Sequence, residues 1–389
     1  MEVNFQIYHY WRSPCAMKGV KMEKMKRWTA IMAAGVLAAG VLAGCGTDEN
    51  KKNTDSSTSG NGSENISASS DSEVTATVNG YEFTVDTSKA PGDIEIALVY
   101  ANVTTPFAQY LKQGIDDYAE ETGINAYMTA PDTWSTENEI EMIENLIAKG
   151  VDGLAVMVLD QDAMTPIINE ALSAGIPTIC WNVDDVYSDR LGFIGEDLYK
   201  AGQETARALV EKMGEEGKVL ITSEDASTYH SQQREQGARD YLADYPGITI
   251  METLDCQGAD DQGMYAAIEQ IMQANDDIDG VISCGGTCYI LSNYLRENNV
   301  GNNFGDDPIW NTGHDLREEK VQDILDGWST AQFGQNPYDQ GYKAAKMLGD
   351  FLTTGDPSSF QVIDTGLLEV DSDNAQEIMD RIQAGEIIG

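Results

Sequence analysis

The chain has 389 residues, with 65 Asp and Glu against 24 Lys and Arg, a formal net charge of −41 at pH 7. A surface this acidic repels the phosphates of DNA and RNA, which argues against a nucleic-acid partner. Hydrophobic residues make up 41% of the chain, too many for a wholly disordered protein. The length allows two domains of roughly 100–200 residues each.

The amino-terminal segment has the features of an export signal. A basic flank at 24–27 precedes an apolar run over 30–43, which is too short to span a bilayer but suits a secretory signal. Leu42-Ala-Gly-Cys45 resembles a bacterial lipobox, in which the signal is cleaved and the cysteine thiol receives a lipid. We therefore expect a signal over 1–45 with an over-long start, and a lipid on Cys45. A signal peptide followed by a free cysteine is the alternative.

Two different patterns follow the signal. Residues 46–73 are rich in Ser, Asn, Gly, Thr and Asp, the composition of a disordered linker. Two alternating runs then flank Asn79-Gly80, a strong signal for a tight β-turn. The sequence therefore predicts a β-hairpin extension over 74–92.

From Ile94 onward, short apolar runs typical of β-strands alternate with longer segments of helical periodicity. Strands are predicted at 94–100, 125–129, 153–159, 178–181, 218–222, 249–254, 280–284 and 308–312, with helices between them. Such alternation predicts parallel β-α-β units, and these strands are too many for one comfortable sheet. We therefore expect an α/β protein of two doubly wound lobes.

Ligands of such sheets bind beyond the carboxyl ends of the strands, so the residues after each strand are the candidate site. These positions are rich in aromatic and hydrogen-bonding groups. They contain no serine elbow, phosphate loop, zinc-protease motif or dinucleotide fingerprint. The pattern is typical of a binding site without catalytic machinery, so we expect no enzyme activity and no cofactor.

Four cysteines remain after Cys45, at positions 180, 256, 284 and 288. Their even number permits disulfides in an oxidising compartment but does not require them. Cys284 and Cys288 have the spacing of half a metal site, yet no second cysteine pair follows. We therefore expect no metal centre and leave the disulfide state open.

Short motifs in a fixed order resemble those of the ribose- and galactose-type periplasmic sugar-binding proteins that serve ABC transporters. The motifs are Thr104-Thr-Pro-Phe107, Gly150-Val-Asp-Gly153, Ala174-Gly-Ile-Pro177, Arg234-x-x-Gly237, Asp277-Ile-Asp-Gly-Val281, Gly313-His-Asp315 and Gln335-Asn-Pro337. Each motif alone is weak, but their order and spacing cover residues 93–372, nearly all of the folded body.

The resemblance implies a type I periplasmic-binding-protein fold whose chain crosses three times between the lobes, near Gly195, Gln335 and Thr365. The implied amino-terminal lobe is 93–195 with 336–365, and the implied carboxyl-terminal lobe is 196–335 with 366–389.

The resemblance also implies the roles of individual side chains. Phe107 would stack on a sugar ring, Arg234 would donate to ring oxygens, and Asp315 and Gln335 would bind hydroxyls. Thr105, Trp181 and Asn182 complete the expected ligand site, because they too follow predicted strands.

Each of these residues also has a structural interpretation. Phe107 could belong to the core, Arg234 to the surface, and Asp315 could cap a helix. Trp134 and Trp181 could line the cleft or merely cover it, and His230 could be an edge residue.

The sequence also departs from the family. Asn182-Val183 replaces a usual Asp-Arg pair, Gly285-Gly286 replaces Asn-Asp, and Ala259 replaces an aromatic residue. The ligand of the best-known relatives therefore cannot be transferred.

We expect a monomeric, lipid-anchored, extracytoplasmic binding protein that delivers a neutral sugar or polyol to an ABC permease. A ligand-sensing module, in which the same fold serves a membrane sensor or chemoreceptor, is the alternative. Trp181-Asn182 and Phe333-Gly-Gln335 also resemble a sister group that binds autoinducer-2, but His230-Ser231 stand where that group has an acid and an amide. A transcription repressor of the same core fold would need a basic helix-turn-helix at the amino end, where the lipobox lies instead.

Overall fold

A computed structural model describes residues 67–69, 72–131 and 134–388. The predicted signal over 1–45, Cys45 and most of the predicted linker lie outside these residues. Strands and helices are numbered below in chain order.

A small antiparallel sheet precedes the first lobe. It consists of β1 (Ser67–Ser69), β2 (Glu73–Val78) and β3 (Tyr81–Asp86), in that order. Asn79 and Gly80 both have positive φ at the turn between β2 and β3, as a tight hairpin requires. The predicted hairpin is thus present, but β1 falls inside the predicted linker over 46–73, so that linker was placed too far along the chain.

The first large sheet has six strands in the order β15-β8-β7-β6-β4-β5, all parallel. Its strands are β4 (Glu95–Val99), β5 (Asn125–Thr129), β6 (Gly153–Val156), β7 (Thr178–Asn182), β8 (Phe193–Gly195) and β15 (Val362–Asp364). Its helices are α1 (Pro106–Thr122), α2 (Thr136–Lys149), α3 (Gln161–Ser173) and α9 (Pro337–Thr354). We call this unit the N-lobe.

The second large sheet has seven strands, six of them in the order β10-β9-β12-β13-β14-β16, with β11 beside β9. Its strands are β9 (Glu216–Ser223), β10 (Gly247–Ile250), β11 (Leu254–Asp255), β12 (Gly280–Ser283), β13 (Trp310–His314), β14 (Ala331–Gly334) and β16 (Leu368–Asp371). Its helices are α4 (Leu198–Met213), α5 (Tyr229–Leu242), α6 (Asp261–Ala274), α7 (Thr287–Asn298), α8 (Glu318–Leu325) and α10 (Ala375–Gln383). We call this unit the C-lobe. Its one departure from the expected parallel order is the antiparallel edge pair β14–β16.

The chain passes between the two sheets after Gly195, after Gly334 and after Asp364. Short 3-10 turns at Pro91–Asp93 and Pro357–Ser359 complete the N-lobe connections. Central strands such as β6 and β12 are buried along their whole length, as expected for sheets covered by helices on both faces. The predicted fold class is therefore confirmed.

Among the described residues, no helix combines the length and apolar character that crossing a membrane requires. Cys180, Cys256, Cys284 and Cys288 are buried and unpaired, so the structure contains no disulfide between them. No cluster of three or more metal-ligating side chains occurs in the described part of the chain.

Candidate ligand cleft

The carboxyl ends of the parallel strands in both lobes border a cleft of about 590 Å³. Volumes of roughly 300–1,000 Å³ are usual for small-molecule sites. The N-lobe helices begin at its edge, where Thr105, Ser135 and Asp160 cap α1, α2 and α3. These caps fix the loops after β4, β5 and β6, so the N-lobe side of the cleft is a preformed surface.

Aromatic side chains dominate the N-lobe side of the cleft. Tyr100 directly follows β4, and its ring centroid lies 6.3 Å from those of Phe107 and Trp134. Phe107 is half-buried, packs on the N-lobe core and also lines the cleft, so its stacking on a sugar ring stays a prediction. Trp134 is 48% exposed at the cleft edge. Flat, partly exposed rings of this kind suit the C–H-rich face of a sugar.

Trp181 does not line the cleft, which corrects the expectation from the sequence. Its side chain is fully buried in the N-lobe core, where Nε1 donates to the carbonyl oxygen of Val99 at 2.8 Å. Its ring lies beneath Tyr100, with centroids 5.9 Å apart. Trp181 therefore supports Tyr100, and Tyr100 occupies the cleft position predicted for an aromatic residue.

Three predicted polar residues meet where the lobes join. Asn182 ends β7 with φ of 63° and donates through Nδ2 to Oε1 of Gln340 at 2.9 Å. Gln335 donates through Nε2 to Oδ1 of Asp315 at 2.6 Å. Asn182, Gln335 and Asp315 all line the cleft. Asp315 is not the cap of α8, since Arg317 holds that position.

Arg234 is only 4% exposed and lines the cleft, so it is not a surface arginine. Its Nε donates to Oε1 of Glu196 at 2.9 Å, Nη2 binds the same oxygen, and Nη1 donates to the carbonyl oxygen of Cys284 at 3.0 Å. A guanidinium has five N–H donors, so two remain for a ligand. Glu196 follows β8 at the first crossing, and its other oxygen, Oε2, is buried without a protein partner. The positive charge of Arg234 is thus matched inside the protein.

A close helix crossing positions Arg234. A Cβ added at Gly237 of α5 would overlap the carbonyl oxygen of Tyr199, and one at Gly202 of α4 would overlap that of Arg234. The two glycines allow α4 and α5 to touch backbone to backbone. The Arg234-x-x-Gly237 motif therefore combines a cleft-lining arginine with the contact that holds its helix in place.

Glu224 is a further acid in the C-lobe wall. Burial opposes its ionisation, but His230, the backbone amide of Gly286 and Arg234 outweigh burial and hold the pKa of this carboxyl below its ordinary value. Nε2 of His230 lies 3.4 Å from Oε1 of Glu224. Glu224 is therefore an ionised acceptor at the cleft, and His230 is its partner.

The sequence missed Tyr100, Glu196, Glu224 and Tyr289 as site residues. Tyr100 and Glu224 stand at strand ends and could have been chosen by the rule used for their neighbours. Glu196 follows a strand of only three residues that the periodicity did not reveal. Tyr289, in the first turn of α7, had no motif to mark it.

The sequence matches the family described as "Periplasmic binding protein domain" over residues 96–356. The xylose/arabinose-binding protein XylF of Sulfolobus acidocaldarius is 26% identical over 292 residues, covering 72% of each chain. The ribose import binding protein RbsB of Bacillus subtilis is 25% identical over 208 residues, covering 48% of this chain and 68% of RbsB.

The fold is also similar to that of an ABC transporter solute-binding protein from Burkholderia graminis, solved in complex with D-arabinose. The two share a TM-score of 0.69 at 23% identity, covering 74% of this chain and 98% of that one. None of these three proteins is named as an enzyme. The chain therefore belongs to the periplasmic binding protein family and has the two-lobed α/β fold of that family.

Proposed function

We propose that this protein is a lipid-anchored solute-binding protein that captures a small neutral sugar or polyol between its lobes and delivers it to an ABC permease. The family implies an extracytoplasmic location. The cleft supports the ligand class, because one wall carries aromatic faces and the other carries hydrogen-bonding groups.

The observation that carries the choice of a neutral ligand is the ion pair between Arg234 and Glu196. Because Glu196 matches the charge of Arg234, the guanidinium offers two donors but little net attraction for an anion. On the same wall the carboxylates of Asp315 and Glu224 lie with one further cation, Arg317, so the wall as a whole carries no excess of positive charge. In this proposal the ring face meets Phe107, and the hydroxyls bind Arg234, Asp315, Asn182 and Gln335.

A thermal-shift and calorimetry panel tests the proposal. D-xylose, D-arabinose, D-ribose, D-allose and xylitol are compared with D-ribose 5-phosphate and D-gluconate. A ligand that binds only the folded state raises the melting temperature by mass action. We expect at least one neutral compound to bind and both anions to bind at least tenfold more weakly. Binding confined to the anions would refute the neutral-ligand assignment.

Lobe closure is tested on the same ligand. The three crossings allow hinge closure, which excludes water and strengthens each hydrogen bond. Small-angle scattering at saturating ligand should show a smaller radius of gyration. An unchanged radius would argue against capture by closure.

A further inference from the structure

Arg317 differs from the other arginines of the described chain. Each of the others forms an ion pair with a carboxylate, whereas Arg317 has no such partner among the described residues. Arg317 also lines the cleft. It is therefore a cleft cation whose charge is not matched by a directly bonded acid.

The guanidinium of Arg317 rests on an aromatic ring. Its Cζ lies 3.4 Å from the ring centroid of Tyr289, another cleft residue. The Tyr289 hydroxyl donates to the carbonyl oxygen of Asp315, and the buried ammonium of Lys320 lies 5.2 Å from the same ring centroid. Tyr289 is thus held firmly. Stacking occupies the face of a guanidinium and leaves N–H donors along its edge.

Helix stability does not account for Arg317. It is the N-cap residue of α8, and its side chain makes no capping hydrogen bond. A positive charge at the amino end of a helix opposes the helix dipole, so arginine is an unfavourable residue there. Arg317 therefore destabilises the start of α8, and its side chain lines the ligand cleft.

We infer that Arg317 is a specificity-determining residue, whose stacked guanidinium donates to two adjacent hydroxyl oxygens of the ligand. This inference rests on the proposed function and adds the chemical feature that the C-lobe recognises, a vicinal diol. The planar fork of arginine matches paired oxygen acceptors. A carboxylate has the same geometry, but the carboxylate of Asp315 acts electrostatically on the Arg317 guanidinium, and Glu224 lines the same cleft, so the two acids favour a neutral diol.

Calorimetry with Arg317→Ala, Arg317→Lys and wild type tests the inference, with Arg381→Ala as control. Arg381 is a C-lobe arginine paired with Glu386 and is not among the cleft residues. The probes are D-xylose, D-arabinose, D-ribose, D-allose and the monodeoxy analogues of whichever binds best. We expect Arg317→Ala to bind that sugar roughly 10–100-fold more weakly, with Arg317→Lys between it and wild type.

The deoxy analogues separate recognition from a structural effect. Wild type and Arg381→Ala should bind an analogue that lacks one hydroxyl of the diol roughly tenfold or more weakly than the parent sugar. Arg317→Ala should bind the parent sugar and this analogue with equal affinity, because the guanidinium that donates to this hydroxyl is absent. A structural role would weaken every ligand by the same factor and keep the discrimination.

Three results would overturn the inference. In the first, a sugar binds but each deoxy analogue loses affinity by the same factor in Arg317→Ala as in wild type. In that case the inference fails and the proposed function stands. If D-gluconate binds more tightly than the sugars and its binding requires Arg317, the site recognises a carboxylate. The inference and the proposed function then both fail. If wild type binds none of the sugars, both fail as well.

Discussion

Replacing Arg234 with methionine should reduce both stability and ligand binding, and the two losses can be separated. The substitution leaves the fully buried carboxylate of Glu196 without its guanidinium and the carbonyl oxygen of Cys284 without its donor. Removing one partner of a buried ion pair costs about 3–5 kcal/mol. We therefore expect the free energy of unfolding to fall by about that amount.

The double variant Arg234→Met/Glu196→Met removes both charges. Replacing a buried ion pair with apolar residues of similar volume is often neutral or stabilising, so most of the lost stability should return. Ligand affinity should not return, because the two remaining N–H donors of Arg234 are absent from both variants. One hydrogen bond from a charged donor contributes about 1.5–3 kcal/mol, so loss of one such bond lowers the affinity for the ligand roughly 10–100-fold.

Denaturant unfolding measures the stability, and calorimetry with the best neutral ligand measures the affinity. The reasoning would be refuted in its structural part if Arg234→Met were as stable as wild type. It would be refuted in its functional part if the double variant bound the sugar as tightly as wild type.

Three further predictions concern stability, helix packing and anchoring. Burial raises the pKa of Glu139 well above its ordinary value of 4.5, and neither oxygen has a protein partner, so the folded state holds a proton that the unfolded state loses. The contribution of Glu139 to stability is then fully present below about pH 4.5 and is lost as the pH rises through the folded pKa. Glu139→Gln should therefore stabilise the protein more at pH 8 than at pH 4 in denaturant unfolding, and an equal effect at both pH values would contradict this. Gly237→Ala should push α5 away from the Tyr199 carbonyl oxygen, destabilise the C-lobe by about 1–3 kcal/mol and weaken sugar binding by displacing Arg234. A fully stable variant that binds normally would argue against the close crossing. Cys45→Ser should release the protein from the membrane fraction of cells, and unchanged retention there would exclude a lipid on this cysteine.

Much of the fold follows from the sequence because its main strands are apolar and alternate with long amphipathic helices. The hairpin was predictable for a local reason, since Asn79-Gly80 favours the backbone that the turn adopts. The strands at the crossings were not: β8 and β15 have three residues each and β14 has four. Runs this short have no measurable periodicity.

The site was predictable where a residue follows a strand and fails where the strand end was misplaced. Trp181 lies within β7 and points into the core, whereas Asn182 is the residue that turns toward the cleft. Strand β13 runs to His314, two residues beyond the predicted end, so His314 is buried whereas Asp315 lines the cleft. The pairing of Glu196 with Arg234 could be found only in the tertiary structure, because the two residues lie far apart in sequence.

The position of α9 has a consequence for the order in which the lobes are completed during synthesis. Leu348 and Phe351 of α9 belong to the N-lobe core, and Phe351 packs edge-to-face on Phe83 of β3 with ring centroids 5.9 Å apart. The C-lobe sheet, apart from its edge strand β16, is complete once β14 has emerged, before α9 is made. At about 5–20 residues per second, the first hairpin waits tens of seconds for its partner. The lobe that begins first in the chain therefore cannot complete its core until most of the other lobe's sheet has been made.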